Sequence, residues 1–351
     1  MQRIHRVVLI ALLIAIGSER ALARPLTPAE NKLKVVTTLG VLADFARAVG
    51  GDRVEVEALA DPREDPHFVQ PRPTLMKRAR EADLFVELGM GLELWAQKVV
   101  EGSGNPRIQP GEPARVVAST GVTALELPRE LSREWGDVHP YGNPHVWLDP
   151  LNAKDLAANI ARGLEAVDAP HAVEYEANLK RFQEQLDDAL FGADLVKEVG
   201  GKMLTRVARQ GRLSAWLAEK GLTGKLGGWL ARAAPLAGRP VVTFHKSWVY
   251  FAERFGLTIP IEIEEKPGIP PSARRRDSVV ELMQARKLRT VLHEVFYATD
   301  AAEYLAKETG AHAVVVPIDV GGEGGPKDYF QLVELWLAKL LESESAAPPA
   351  K

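Results

Sequence analysis

The sequence predicts an α/β protein of two lobes, each a mainly parallel sheet flanked by helices, joined by one long rigid helix. Three observations predict it. β-Branched runs alternate with helical apolar periods in both halves of the chain, the pattern of crossover-connected parallel strands. A helix-forming stretch from His171 to Phe191 contains neither glycine nor proline and sits between those halves. The length of 351 residues, 46% of them hydrophobic and 26% charged, suits two domains and excludes general disorder.

In order, Lys34–Thr38 is a β-branched strand, and Val41–Val49 has a helical period ended by Gly50 and Gly51. Arg53–Ala58 alternates as a strand, Pro73–Ala82 is a helix, and Leu84–Leu88 is a short apolar strand. Leu92–Val100 continues as a helix and Arg115–Ala118 as a strand. Thr123–Asn143 breaks the rhythm with Pro128, Gly136, Pro140 and Gly142. Leu151–Ala166 is one helix, and the long one follows with Asp168 as its cap, about 20 residues or roughly 30 Å. Residues 192–238 are helical pieces interrupted by glycine, placed as a decoration of the second lobe away from any site. The second alternation comprises strands at Pro240–Phe244, Arg289–Leu292 and Ala313–Pro317, with Thr258–Ile263 extended. Its helices are Ser247–Phe255, Asp277–Lys287, Ala301–Thr309 and Tyr329–Glu342.

The expected organisation is a signal peptide at 1–23, an N-terminal lobe at 24–166, the connecting helix at 167–192 and a C-terminal lobe at 193–351. Arg3 and Arg6, an apolar run from Val7 to Ile16, and Ala21-Leu22-Ala23 have the layout of a cleaved secretory signal. The chain has no cysteine, which excludes disulfides, thiolate metal sites, cysteine nucleophiles and a lipobox anchor. The expected location is therefore the periplasm, without a lipid anchor. A formal net charge of −3 offers no electrostatic reason for nucleic-acid binding.

Any metal must therefore be held by nitrogen or oxygen, and the chain has eight histidines. His67 stands in Asp65-Pro66-His67, and His145 in Asn143-Pro144-His145; each lies in a proline-stiffened loop. His245 follows the strand Val241–Phe244. All three occupy strand ends or such loops, the edge where open α/β sheets bind ligands. Three imidazoles and one carboxylate form a tetrahedral set suited to zinc. Asp319, before Gly321 and Gly322, is the expected fourth ligand, with Glu294 as the competing carboxylate. His293 is a reserve candidate beside Glu294.

The segments Asp65-Pro66-His67, Asn143-Pro144-His145-Val146-Trp147-Leu148-Asp149-Pro150 and Thr243-Phe244-His245-Lys246-Ser247-Trp248 resemble the zinc and manganese class of periplasmic solute-binding proteins of ABC importers. The resemblance runs from Lys34 to about Leu341. It implies a high-affinity receptor that is not an enzyme, with one Zn²⁺ per chain as transported ligand buried between the lobes. It also implies a membrane permease as partner, a periplasmic metal chaperone as a possible donor, and a monomeric state. Carried over by motif, the metal ligands are His67, His145, His245 and, more loosely, Asp319. Histidine at 245 matches zinc-type members, where manganese-type ones can carry glutamate. The alternatives are a manganese or iron receptor of the same family, and a zinc hydrolase in which Glu294 or Glu264 would serve as base. The first-lobe loop before Asn143 is short for a zinc receptor, with His139, Asp137 and Glu134 as its only candidates; His139 either assists metal capture or is an exposed loop histidine.

Overall fold

In the computed structural model, which describes residues 32–128, 139–266 and 268–346, two parallel sheets organise the chain. The proposed signal segment, Glu134 and Asp137 lie outside the described residues. In the first sheet β1 (Leu33–Thr37) lies between β2 (Val54–Ala58) and β3 (Leu84–Glu87), and β4 (Arg115–Val117) pairs beyond β3. Val35 is in register with Val56 on one side and Leu84 on the other. The crossovers carry α1 (Gly40–Gly50), α2 (Pro73–Arg80) and α3 (Leu94–Ser103). Helices of this kind cover the faces of a parallel sheet, so Val35, Val36, Leu84, Phe85 and Val86 are all buried. Pro73 opens α2, where its missing N–H costs nothing, and Gly104 in the left-handed region ends α3.

After α4 (Pro150–Val167), the expected long helix appears as α5 (Ala172–Phe191), 20 residues. Asp168 does not cap it through the backbone. Its carboxylate accepts from the Tyr175 hydroxyl at 2.5 Å and from His171 Nδ1 at 2.8 Å, and His171 takes the cap position. The glycine-interrupted stretch forms α6 (Ala193–Val199), α7 (Gly201–Arg209), α8 (Leu213–Glu219) and α9 (Gly228–Arg232). α6, α7 and α9 pack on α5, and α9 also meets the helix Tyr329–Ser345, where the Trp229 indole N–H donates to Glu334 at 2.7 Å. A buried ion pair explains the packing on α5. Lys154 Nζ of α4 donates to Asp187 of α5 at 2.6 Å and to the Thr205 hydroxyl of α7 at 3.1 Å. Arg209 reaches Asp155 of α4 at 2.7 Å.

The second sheet runs β5 (Val242–Thr243), β6 (Thr290–Glu294), β7 (His312–Val316), all parallel. Bridges from Pro240 to Thr258 and from Thr243 to Glu262 bring the extended stretch alongside β5. The helices are α10 (Val249–Phe255), α11 (Ala273–Arg286), α12 (Asp300–Thr309) and α13 (Tyr329–Ser345). α11 begins four residues earlier than the periodicity suggested, because the Ser272 hydroxyl caps Arg275 N–H at 3.1 Å. β6 runs two residues further, through His293 and Glu294.

The first sheet lies wholly before α5 and the second wholly after it, yet residues from 32 onward form one compact unit. The larger hydrophobic cluster extends from Val35 to Leu340, while a smaller one gathers Val242, Val279, Val291 and Leu305. α13 makes the junction. The Tyr329 hydroxyl donates to the Trp147 carbonyl at 2.6 Å, and its ring meets Phe45 edge-on at 5.1 Å. No helix among the described residues is long and apolar enough to cross a membrane.

Candidate metal centre

Two of the three histidine loops are built on one local motif. In Asp65-Pro66-His67 the Asp65 carboxylate accepts from the His67 backbone N–H at 3.0 Å and from His67 Nδ1 at 2.7 Å. In Asn143-Pro144-His145 the Asn143 amide oxygen accepts from the His145 backbone N–H at 3.0 Å and from Nδ1 at 2.9 Å. An Asx side chain favours a hydrogen bond to the backbone two residues on, and the intervening proline holds the turn extended. The same oxygen then fixes the ring's tautomer and leaves Nε2 free to coordinate. His245 reaches the same state by a long-range route, with Nδ1 at 2.5 Å from the Glu264 carboxylate, whose other oxygen accepts the Gly268 N–H at 2.9 Å.

Longer contacts aim the loops. The Trp95 indole N–H of α3 donates to the Pro66 carbonyl at 2.8 Å. The Tyr250 hydroxyl of α10 donates to the Asn143 carbonyl at 2.7 Å, and the Asn143 amide donates to the Lys246 carbonyl at 2.5 Å. This last bond ties the His145 loop to the residue after His245. Gly142 has φ +92°, and a Cβ there would stand 2.8 Å from the Leu125 carbonyl oxygen, so this turn requires glycine.

The result is a convergent group. His67, His145 and His245 are 8%, 1% and 3% exposed, and their ligand atoms lie within 4.8 Å of one another. Their ring centroids are 5.2–5.4 Å apart, and Nε2 of His67 and of His145 is buried without a partner. Unpaired buried nitrogens are costly unless a ligand completes them. Burial, reinforced by His67 and His245, pushes the His145 imidazole well below its ordinary pKa and so holds it in the neutral, ligating form. Burial works against ionisation of Asp65, but the His67 hydrogen bond and charge outweigh it, and the carboxyl stays below its usual range. Asp65 and Glu264 thus bring two carboxylates to the outer side of the imidazoles, which balances a dication without either one ligating it.

The fourth expected ligand has other partners in this structure. Asp319 Oδ2 accepts the Gly40 N–H at 2.9 Å, while Oδ1 accepts those of Val41 at 2.6 Å and Val320 at 2.8 Å. Its carboxylate therefore caps the N-terminus of α1, where the unsatisfied N–H groups and the helix dipole favour an anion. Asp319 is not part of the group of three histidines, and in this structure its carboxylate is engaged by backbone N–H groups. The competitor Glu294 is also outside it, buried at the end of β6 with Oε1 accepting from the Trp248 indole at 3.0 Å. His293, the reserve candidate, donates from Nδ1 to the Glu294 carbonyl at 2.7 Å and stacks against Phe244.

Burial raises the Glu294 carboxyl to about 8, although the Trp248 hydrogen bond pulls the other way. Because this folded pKa lies above the unfolded value, the carboxyl's contribution is complete below about pH 4.5 and is lost as pH rises through about 8. Glu294→Gln is therefore expected to stabilise the protein above pH 8 by on the order of 4 kcal/mol and to change little at pH 4.5. Urea midpoints at the two pH values check this, and an equal shift at both would contradict it.

The residues the sequence argument missed are the imidazole partners and the position of His139. The repeated Asx-Pro-His spacing was a usable signal for Asp65 and Asn143. Glu264, 19 residues from His245, offered none. The His139 ring lies 5.1 Å from that of His67 and 6.5 Å from that of His145, so it is no exposed loop histidine.

Comparison with known proteins places this geometry. The family model for the periplasmic zinc-uptake complex component A matches residues 35–190 and 225–343, passing over most of the glycine-interrupted stretch. The iron-binding protein YfeA of Yersinia pestis is 28% identical over 312 residues, 87% of this chain and 84% of that protein. The manganese ABC transporter substrate-binding lipoprotein PsaA of Streptococcus pneumoniae is 32% identical over 165 residues, 46% of this chain and half of its own length. A crystal structure of ZnuA superposes with a TM-score of 0.67 at 24% identity, covering 90% of this chain and all of that one. A Mn-bound periplasmic metal-binding protein from Candidatus Liberibacter asiaticus gives 0.62 at 20% identity over 89% of this chain, a likeness of fold. The chain belongs to the zinc-uptake complex component A family, the extracytoplasmic metal-binding substrate receptors that serve the membrane permeases of ABC importers and are not enzymes.

Proposed function

We propose that the chain is the zinc-type receptor of such an importer, taking one Zn²⁺ between His67, His145 and His245 and passing it to the permease. Three buried imidazoles, each with Nδ1 held by Asp65, Asn143 or Glu264, carry the proposal, because nitrogen-rich sets suit zinc while manganese prefers carboxylate and water oxygen. The two loops of the first half and the His245 loop of the second would close on the ion from opposite sides, with α5 as the rigid element between the sheets. The chain would act as a soluble periplasmic monomer after loss of 1–23, and receive the ion free or from a metal chaperone. The names of YfeA and PsaA favour iron or manganese as the alternative cargo.

Native mass spectrometry of residues 24–351 with equimolar zinc and manganese tests the choice. Retention of one zinc per chain is expected. Preferential retention of manganese would overturn the zinc assignment and leave the receptor role intact.

A further inference from the structure

We propose that His139, and not Asp319, is the fourth ligand, so that the ion sits among four imidazoles and the loop histidine sets the preference for zinc over manganese. This rests on the metal-receptor reading given above. The ring of His139 shares the state of His67 and His145. One side is hydrogen-bonded by the Gly91 backbone, and its Nε2 is buried with no partner. Four imidazoles around zinc, with Zn–N of about 2.0–2.1 Å, place ring centroids roughly 5.2 Å apart. The three ring pairs among His67, His145 and His245 are at 5.2–5.4 Å and the His67–His139 pair at 5.1 Å. The His139–His145 separation is wider, at 6.5 Å, and His139 stands outside the group whose ligand atoms lie within 4.8 Å of one another, so its ring must move inward to coordinate.

Asp319 has no such freedom. Both of its oxygens are engaged by backbone N–H groups of Gly40, Val41 and Val320. Its loop is pressed onto α1 so closely that a Cβ on Gly40 would fall 2.1 Å from the Val320 carbonyl oxygen. A swing into the site would leave the first N–H groups of α1 unsatisfied and buried. With four neutral nitrogen ligands, the dication is balanced by Asp65 and Glu264 from outside the coordination sphere. No oxygen is offered to manganese, the harder ion.

X-ray absorption of the zinc-loaded protein counts the imidazoles directly. Four are expected in the wild type and in Asp319→Asn, and three in His139→Ala, with zinc affinity in the last falling by about tenfold or more. His139→Asp should restore a ligand while shifting zinc–manganese competition towards manganese. A wild-type spectrum of three imidazoles plus a carboxylate oxygen, or a His139→Ala protein with unchanged count and affinity, would overturn the proposal and leave the three-histidine receptor standing. Failure of the wild type to bind zinc would overturn both.

Discussion

His145→Ala is expected to lower zinc affinity by about two to three decades without unfolding the protein. Zinc held by four protein ligands is bound with about 10–16 kcal/mol, so one ligand accounts for roughly 3–4 kcal/mol. His145 is the ring on which the loss should be most complete. It is 1% exposed, and its pKa is already driven down by burial, so no water-filled gap offers an easy substitute ligand. The Asn143 side chain would keep its bond from residue 145 N–H and its donation to the Lys246 carbonyl, which preserves the loop. Competition against a chelating dye measures the affinity, and a thermal melt of the metal-free protein checks the fold. An affinity within threefold of the wild type would remove His145 from the site.

Asp149→Ala should be the most destabilising single change outside the hydrophobic core, at about 3–5 kcal/mol. The carboxylate accepts two parallel bonds from Arg254, each 2.8 Å, and also the Leu151 N–H at 2.9 Å as the cap of α4. The pair is almost wholly buried, with side chains 13% and 9% exposed. Removing Asp149 leaves the guanidinium of α10 without its counter-ion and uncaps α4, the helix that follows the His145 turn. Arg254 would keep a weak 3.3 Å bond to the Ala208 carbonyl. Asp149→Asn keeps the cap and loses the charge, and should cost less. Urea denaturation checks the order, with a midpoint shift at constant slope expected. Equal stability of all three proteins would show that the pair contributes nothing.

The order of elements was legible because parallel strands buried on both faces are written as short β-branched or apolar runs, and Val35–Thr37, Leu84–Val86 and Val242–Thr243 are such runs. Long-range contacts were not legible. α13 shows the periodicity of any amphipathic helix, but only the fold brings Tyr329 onto Trp147 and joins the two sheets through one core. The packing of the glycine-interrupted stretch on α5 was likewise not legible, since nothing local to Thr205 announces its bond with Lys154, 51 residues away.

The sequence by itself determined the donor chemistry. With no cysteine the site had to be nitrogen and oxygen, and proline-stiffened Asx-Pro-His loops at strand ends singled out His67 and His145, with His245 after its own strand. Those constraints are local, acting within a few residues, so they survive without knowledge of the fold. Tertiary structure alone decided which carboxylates touch those rings and which carboxylate does not. Asp319 reads as a ligand in a glycine-rich loop, and the fold sets that loop on the first turn of α1, some 280 residues earlier, where its carboxylate accepts the Gly40 and Val41 N–H groups as well as that of Val320. The zero cysteine count thus prescribed nitrogen and oxygen, and the packing of α1 against the last loop, contacts between segments far apart in sequence, decided what the Asp319 carboxylate touches.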